Sequence, residues 1–310
     1  MSLKVFTSAD EYAKKSGGPC VATLGTFDGF HKGHASIFSR LIKVSQDMNL
    51  PAVVITFHPH PRVLVTPDNP PQLLTVPDEK IEILKSRLDG SLVFLTFNDK
   101  LRRMTAEEFA KNVLIERFGI KSLVVGYNHS FGRDRSGNID HLREMGRREN
   151  FDVNVVGPVT YRDLPISSSR IRRAIQSGEW RDAIAMLGHH YPIYGTVVKG
   201  LGKGKQLGWP TMNIDWSERK MLPPQGVYSC LATLDEHTYK GMMFIGVNML
   251  NPEKRVSVEA HLFDFNKDVY GKQVTLYPSH FLRSSRRFES VEALSHQIAD
   301  DKEKIERLLH

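Results

Sequence analysis

The chain has 310 residues, of which 40% are hydrophobic and 25% are charged, and its formal net charge is +7. This length and apolar content predict two domains, each with its own core. The positive charge suits an anionic partner such as a nucleotide. It is spread along the chain, however, and lacks the stripe or tail that is typical of nucleic-acid binding.

Cysteine content and apolar runs restrict the compartment in which the protein works. The only cysteines, Cys20 and Cys230, lie in separate apolar runs, which disfavours a disulfide framework and favours the reducing cytoplasm. Residues 1–18 lack the apolar core of a signal peptide, and no run approaches the roughly 18 apolar residues of a membrane span. We therefore expect a cytoplasmic protein without a membrane partner.

Residues 20 to about 187 alternate short apolar runs with helical spacing. Residues 20–24 predict a strand, and residues 52–57 (AVVITF) predict a second, buried strand. Between them, one apolar helical face before Pro51 is made of Ile37, Leu41, Val44 and Met48. The alternation continues with strands at 92–97, 123–126 and 153–156 and helices at about 78–88, 105–118, 138–149 and 168–187. This βαβ pattern predicts an α/β domain at 1–187, with a doubly wound, Rossmann-like parallel sheet covered by helices on both faces.

The pattern changes near residues 188–192 (GHHYP), after which short β-rich runs alternate with Gly and Pro. These runs lie at 194–199, 226–234, 241–247, 256–263 and 273–277. They predict a small antiparallel barrel within a second domain at 188–310. In the run VSVEAHL, Val258 and Ala260 share the apolar face, and Glu259 lies on the opposite face. A final helix is predicted from an apolar stripe made of Val291, Leu294, Ile298, Ile305 and Leu308.

Residues 25–34 (GTFDGFHKGH) concentrate glycine and histidine between the first strand and the first helix of the α/β domain. Loops at the carboxyl ends of strands are where open α/β sheets bind ligands. Glycines let the backbone approach a phosphate, and the first N–H groups of the helix are anion donors. An ordinary turn with surface histidines is the alternative. We expect a nucleotide site, because His31 and His34 flank a glycine on one side of the first helical turn.

Two motifs resemble the nucleotidyltransferase superfamily that transfers AMP with an H-x-G-H motif. GTFDGFHKGH is similar to its first signature, and ISSSRIR at 166–172 is similar to its second. The resemblance implies that His31, His34 and Arg172 are catalytic. It implies nucleotide binding by Gly25, Phe27, Asp28, Gly29 and Gly33, and phosphate binding by Ser167, Ser168 and Arg170. A capped surface helix would explain the serines, but it would not explain why they occur together with the H-x-G-H motif.

Within that superfamily the chain resembles the bacterial bifunctional riboflavin kinase/FAD synthetases. TFHPHP at 56–61 and GYNHSFGRDRSG at 126–137 are similar to their flavin-nucleotide loops, which implicates His60 and Asn128 in binding. His58 and His60 have no third ligand nearby in the sequence, so we expect a rigid loop there and not a metal site. His129 departs from the family, where phenylalanine is usual.

The second half resembles the kinase domain of the same family, a six-stranded barrel with a C-terminal helix. GTVVKGLGKGKQLGWPTMNI at 195–214 is similar to its Gly-rich strand and Pro-Thr-x-Asn motif, in which Thr211 and Asn213 would bind Mg²⁺. The preceding loop would cover ATP phosphates through Lys199, Gly200, Gly202 and Lys205. VEAHLFDF at 258–265 is similar to the segment with the catalytic base, here Glu259, and Arg283 or Arg286 would lie near the flavin.

The resemblance implies phosphorylation of riboflavin by ATP and then adenylylation of FMN to FAD, with Mg²⁺ as cofactor and no nucleic-acid partner. A monomer or a weak homo-oligomer is expected. Two departures bear on the kinase: Lys205 replaces an arginine, and Met249 and Leu250 replace part of a Pro-Thr-Phe segment. The remaining alternatives are a different adenylyltransferase of the same fold, an FAD synthetase with an impaired kinase half, and a non-catalytic RNA-binding protein.

Overall fold

The computed structural model describes residues 2–200, 204, 208–247 and 256–309. Its chain divides into two compact units. The first unit comprises residues 1–73 and 80–168, and the second unit comprises residues 74–79 and 169–310. The later boundary between the units falls after Ser168. None of the helices among the described residues is long and apolar enough to cross a membrane.

The first unit is built on a six-stranded sheet in which every pairing is parallel. Its strands are β1 (Leu3–Phe6), β2 (Cys20–Leu24), β3 (Ala52–His58), β4 (Gly90–Thr96), β5 (Ile120–Gly126) and β6 (Asp152–Val156), in the order β1-β4-β3-β2-β5-β6. Alternate residues of each central strand feed two separate cores: Ala22 packs on one face of the sheet and Val21 on the other. The predicted doubly wound sheet is confirmed.

Helices cover both faces of this sheet. They are α1 (Ala9–Ser16), α2 (Lys32–Met48), α3 (Pro61–Val65), α4 (Pro77–Lys85), α5 (Asp99–Arg103), α6 (Ala106–Phe109) and α7 (Ile139–Glu149). A π-helical turn, Ala110–Ile115, extends α6. A short hairpin, β7 (Thr160–Tyr161) and β8 (Leu164–Pro165), precedes α8 (Ser168–Gln176) and α9 (Trp180–Leu187). The single helix predicted at 168–187 is therefore two helices, because Gly178 takes a φ of +77° between them.

The second unit contains a closed antiparallel barrel of six strands, as the resemblance implied. Its strands are β9 (Ile193–Val198), β10 (Met212–Trp216), β11 (Gly226–Leu234), β12 (His237–Val247), β13 (Val256–Leu262) and β14 (Gln273–Arg283). Around the barrel they run β10-β13-β12-β11-β14-β9, and β9 pairs with β10 to close it. The final helix, α10 (Val291–Leu308), buries Ile305 against Met242 and Phe263. The strands β1 and β10 were not predicted from the sequence.

Candidate functional site

The glycine loop, residues 25–31, leaves the carboxyl end of β2 and turns sharply into α2. The Gly25 N–H donates to the Ile55 carbonyl of β3 at 3.1 Å, which fixes the start of the loop. Phe27, Gly29 and Phe30 then take φ values of 43°, 87° and 44°. Such left-handed backbone is costly for phenylalanine, so the surrounding structure must impose the turn. The helix α2 begins at Lys32, directly after it.

His31 and His34 lie together at the N-terminus of α2. His31 caps the helix, and its Nδ1 accepts a hydrogen bond from the His34 N–H at 3.3 Å. The two imidazole rings stack with centroids 3.6 Å apart and planes 17° apart. Gly33 sits under this pair: a Cβ at that position would lie 3.1 Å from Nδ1 of His31. The HKGH spacing thus builds one paired imidazole surface beside the amide donors of the helix.

The charge state of His34 follows from its surroundings. Burial, together with the positive potential from His31 and Lys80, holds the pKa of His34 well below its usual value. Its Nδ1 is inaccessible to solvent and has no hydrogen-bond partner among the residues that the structure describes. His34 is therefore neutral at physiological pH and has an unused polar atom.

Buried aromatic rings pack against the histidine pair. The edge of Phe27 meets the ring of His34 at a centroid distance of 5.3 Å, and Phe27 packs in turn on Phe38 at 5.0 Å. Phe27 is only 2% exposed and Asp28 only 1% exposed. Phe27 and Asp28 therefore shape the loop from inside. Gly25 allows this packing, because a Cβ there would approach the Phe27 ring to 3.0 Å.

The second predicted motif begins beside the glycine loop. Ser168, the first residue of α8, donates its hydroxyl to the Asp28 carbonyl at 2.8 Å. Ser167 precedes it and is half-buried. Arg170 and Arg172 follow on the same helix, within its first turns, and both are half-buried. The two serines and the H-x-G-H histidines, which are far apart in the sequence, thus belong to one region of the first unit.

The two predicted flavin loops leave the sheet at the same edge as the glycine loop. They follow β3 and β5, which flank β2 on either side, and parallel strands end on one edge. After β3, His60 caps α3 by accepting from the Arg62 N–H at 3.2 Å on Nδ1. After β5, Asn128 is exposed, and the neighbouring His129 stacks on Phe131 at 5.9 Å. His129 therefore takes an aromatic packing position in this chain.

The predicted kinase residues converge on one wall of the barrel. Asn213 of β10 and Glu259 of β13 are direct cross-strand partners, so their side chains project from the same face. Thr211 lies two residues before Asn213, directly ahead of β10. Both Asn213 and Glu259 are half-buried. Ser257 holds Glu259 by donating to its Oε1 at 3.0 Å, and its hydroxyl also lies 3.2 Å from the Gly246 carbonyl.

Glycines of the preceding loop pack against the same residues. A Cβ at Gly200 would lie 2.0 Å from Nδ2 of Asn213, and one at Gly204 would lie 3.1 Å from Oγ1 of Thr211. At Gly204 a Cβ would also collide with the backbone carbonyl of Trp209, whereas at Gly200 it would displace the side chain of Asn213. Lys199 is exposed, with its ammonium 6.0 Å from the centre of the Tyr270 ring. The predicted residues Gly202 and Lys205, and the departures at Met249 and Leu250, lie outside the described residues.

The two candidate flavin-side arginines contact the C-terminal helix. Arg283 forms a two-pronged ion pair with the buried carboxylate of Asp301, at 2.8 Å from Nε and 2.7 Å from Nη2. Arg286 donates to Gln297, and its guanidinium lies 4.9 Å from the centre of the Phe288 ring. Arg283 thus fastens α10 to the end of β14, which leaves Arg286 as the more accessible cation of the two.

Two residues next to these sites were not predicted. Ser257 carries no signal beyond its place on the polar face of β13. Lys80 has a signal that was overlooked: it occupies the apolar stripe of its helix, in line with Leu84 and Leu88. A lysine at a core position of an amphipathic helix needs partners for its charge. In the structure those partners belong to the glycine loop and to β3.

Comparison with known proteins finds relatives that match nearly the whole chain. The family model for FAD synthetase matches residues 13–170, and that for riboflavin kinase matches residues 187–309. The bifunctional riboflavin kinase/FMN adenylyltransferase of Pseudomonas fluorescens is 34% identical over 91% of this chain and 90% of the relative. The protein of that name from Escherichia coli (strain K12) is 31% identical with the same coverage. A crystal structure of a macrolide-efflux protein from Streptococcus pneumoniae has a TM-score of 0.83 at 31% identity, covering 98% of each chain.

Proposed function

The chain belongs to the family of bifunctional riboflavin kinase/FMN adenylyltransferases, and we propose which of its residues carry each reaction. The kinase reaction transfers the γ-phosphate of ATP to riboflavin and gives FMN; the second reaction joins FMN to AMP from ATP, gives FAD and releases pyrophosphate. We assign adenylylation to residues 1–187 and the kinase to residues 188–310. The cross-strand pairing of Asn213 with Glu259 is the observation that carries the kinase assignment.

In the kinase reaction Glu259 is the general base. Its carboxylate accepts the proton of the riboflavin 5′-hydroxyl as that oxygen attacks the γ-phosphorus of ATP, and ADP leaves. Thr211 and Asn213 offer neutral oxygens on the same wall, which fits Mg²⁺ shared with ATP phosphates. Bound there, Mg²⁺ would neutralise the charge on the transferred phosphoryl group. The backbone around Lys199 and Gly200 would cover the phosphates, and Arg286 or Arg283 would border the flavin. Gly202 and Lys205, which the motif also assigns to phosphate binding, lie outside the described residues.

In the adenylylation reaction the FMN phosphate attacks the α-phosphorus of ATP. This phosphate is already ionised at neutral pH, so the site needs no strong base; it needs positioning and donors for the developing charge. The amide groups at the start of α2, with His31 and His34, supply those donors. Ser167, Ser168, Arg170 and Arg172 hold the pyrophosphate portion that leaves. His60 and Asn128, on the flanking loops, contact the flavin nucleotide.

The remaining assignments concern the setting of these reactions. We propose that the enzyme works in the cytoplasm as a monomer or a weak homo-oligomer, with riboflavin, FMN and ATP as its small-molecule partners. Nucleic acid is not among the proposed partners. Binding of a short RNA at physiological salt with an affinity comparable to that for riboflavin would contradict this part of the proposal.

A time course with the full chain tests the function directly. The protein is incubated with riboflavin, ATP and Mg²⁺, and riboflavin, FMN and FAD are separated by chromatography. FMN should appear first and FAD should follow at its expense. A parallel reaction that starts from FMN isolates the second step. FAD formation from FMN alone would show an impaired kinase half, and no product in either reaction would refute the proposal.

A further inference from the structure

Lys80 lies directly beneath the glycine loop. It is 5% exposed, and its ammonium donates to the Thr26 carbonyl at 2.6 Å and to the Thr56 hydroxyl at 3.2 Å. The fully buried Thr56 hydroxyl also donates to the Thr26 carbonyl, at 3.1 Å. One carbonyl of the loop is thus held from two directions, by α4 and by β3.

The orientation of the Thr26 carbonyl also determines the orientation of the next amide group, the Phe27 N–H. The Thr26–Phe27 peptide is trans, since His58–Pro59 is the only cis bond among the residues that the structure describes. The C=O and N–H of a planar trans peptide point in opposite directions. Because the Thr26 carbonyl is held inward by Lys80, the Phe27 N–H is turned away from Lys80. The same contact therefore sets the orientation of the loop amides that precede α2.

The charged and titratable groups that act on Lys80 come from two elements. Asp28 of the loop, 1% exposed, stabilises the charge of Lys80. That charge in turn helps to keep His34 of α2 neutral. From β3, the Thr56 hydroxyl accepts a hydrogen bond from Lys80. Burial lowers the pKa of Lys80 to about 8, against the opposing effect of Asp28. Lys80 is thus charged at neutral pH and loses its proton at mildly alkaline pH.

Burying the Lys80 ammonium costs desolvation free energy. An apolar side chain of the same length would pack in this helix position without the desolvation cost. We propose that Lys80 is a positioning residue of the adenylylation reaction, which holds the Thr26 carbonyl inward so that the glycine loop presents its amides to the ATP phosphates. This inference rests on the proposed function of the glycine loop as the ATP site.

The test compares Lys80→Met, which keeps length and removes charge, with Lys80→Arg, which keeps charge. Lys85→Met is the matched control, because Lys85 lies on the same helix, is exposed and pairs with Glu82 at the surface. For each full-length variant, kcat and the KM for ATP of FMN adenylylation are measured from pH 6.5 to 9.5. Circular dichroism and thermal denaturation of each variant report whether the first unit, which contains Lys80, is folded. Riboflavin phosphorylation in the same preparation serves as the internal activity control.

Lys80→Met should lower kcat/KM for adenylylation by at least about tenfold, the order of loss expected from a displaced positioning group, while riboflavin phosphorylation and Lys85→Met stay unchanged. Wild-type activity should fall above pH 8, and Lys80→Arg should retain activity there. Wild-type kinetics in Lys80→Met would overturn the inference. If Lys80→Met does not fold, the pH profile of Lys80→Arg decides. A loss of adenylylation activity above pH 8 identical to that of wild type would then overturn the inference.

A His31→Ala variant separates this inference from the proposed function. If His31→Ala keeps full adenylylation, the glycine loop is not the reaction site and the proposed function fails. If His31→Ala abolishes adenylylation and Lys80→Met does not change it, only the role of Lys80 is refuted.

Discussion

Asn213 and Glu259 face each other across neighbouring antiparallel strands of the barrel, β10 and β13. The sequence motifs that contain them resemble a metal-binding segment and a catalytic-base segment. Their register places the two side chains on one face. A phosphoryl-transfer site needs this arrangement, because the metal ligand and the general base must both face the substrate. This arrangement makes both residues testable with the same assay.

Glu259→Gln should abolish FMN production and spare FAD production. The amide keeps the shape of the side chain but cannot accept the hydroxyl proton, so riboflavin phosphorylation should fall by about 10² to 10⁴ fold. Conversion of FMN to FAD, measured by chromatography on the same sample, should be unchanged. Parallel loss of both activities in a folded variant would contradict the separation of the two reactions.

Ser257→Ala should weaken the kinase without inactivating it. The Ser257 hydroxyl donates to Oε1 of Glu259 at 3.0 Å, and a hydrogen bond to a charged group is worth about 1.5 kcal/mol. We expect kcat for riboflavin phosphorylation to fall about tenfold, with an unchanged KM for ATP. Ser257→Thr, which keeps the hydroxyl, should restore much of the rate. An equal loss in both variants would point to packing and not to the hydrogen bond.

Gly200→Ala should impair the kinase through Asn213. The added Cβ would lie 2.0 Å from Nδ2 of Asn213, so the amide has to move and its oxygen with it. We expect a higher Mg²⁺ concentration for half-maximal riboflavin phosphorylation. Gly157→Ala is the control, since a Cβ there meets nothing within 4 Å. The same Mg²⁺ dependence in Gly200→Ala and wild type would exclude a metal role for Asn213.

The stability of the chain should depend on pH through His34. In the folded state the pKa of His34 lies well below 6.5, so the unfolded chain binds the proton more tightly. The free energy of unfolding therefore falls as pH decreases below about 6.5. Urea denaturation followed by circular dichroism at pH 7.5 and 5.5 should show a smaller pH effect in His34→Asn than in wild type. An equal pH effect would assign it to other groups.

Lys220→Met should destabilise the second unit strongly. Lys220 and Glu79 form a buried ion pair at 2.8 Å, and they are 1% and 0% exposed. Removing the cation leaves a buried carboxylate, at a cost of about 3 to 5 kcal/mol in unfolding free energy. Thermal denaturation should show partial recovery when Glu79→Gln is added. As a surface control, Lys272→Met breaks the exposed pair with Asp235 and should cost under about 1 kcal/mol.

The elements with strong internal periodicity were predictable. The strand at 226–234 has the predicted bounds, and α2 follows the apolar face that includes Leu41 and Val44. The short strands β1 and β10 were not predicted, because they are defined by pairing with strands far away in the chain. The break at Gly178 was missed because the apolar spacing continues across it.

In the candidate sites too, some features could be predicted from the sequence and others depend on the fold. Sequence motifs establish the local chemistry: glycines where the backbone turns or packs closely, histidines at a helix start, and oxygen donors in the Pro-Thr-x-Asn segment. Which of these groups meet depends on the fold. Asn213 faces Glu259 because of strand register, and Lys80 reaches Thr26 because α4 packs under the glycine loop. Register and burial depend on residues far apart in the chain, whereas motifs describe neighbours, so the neutral state of His34 and the buried charge of Lys80 could be found only in the fold.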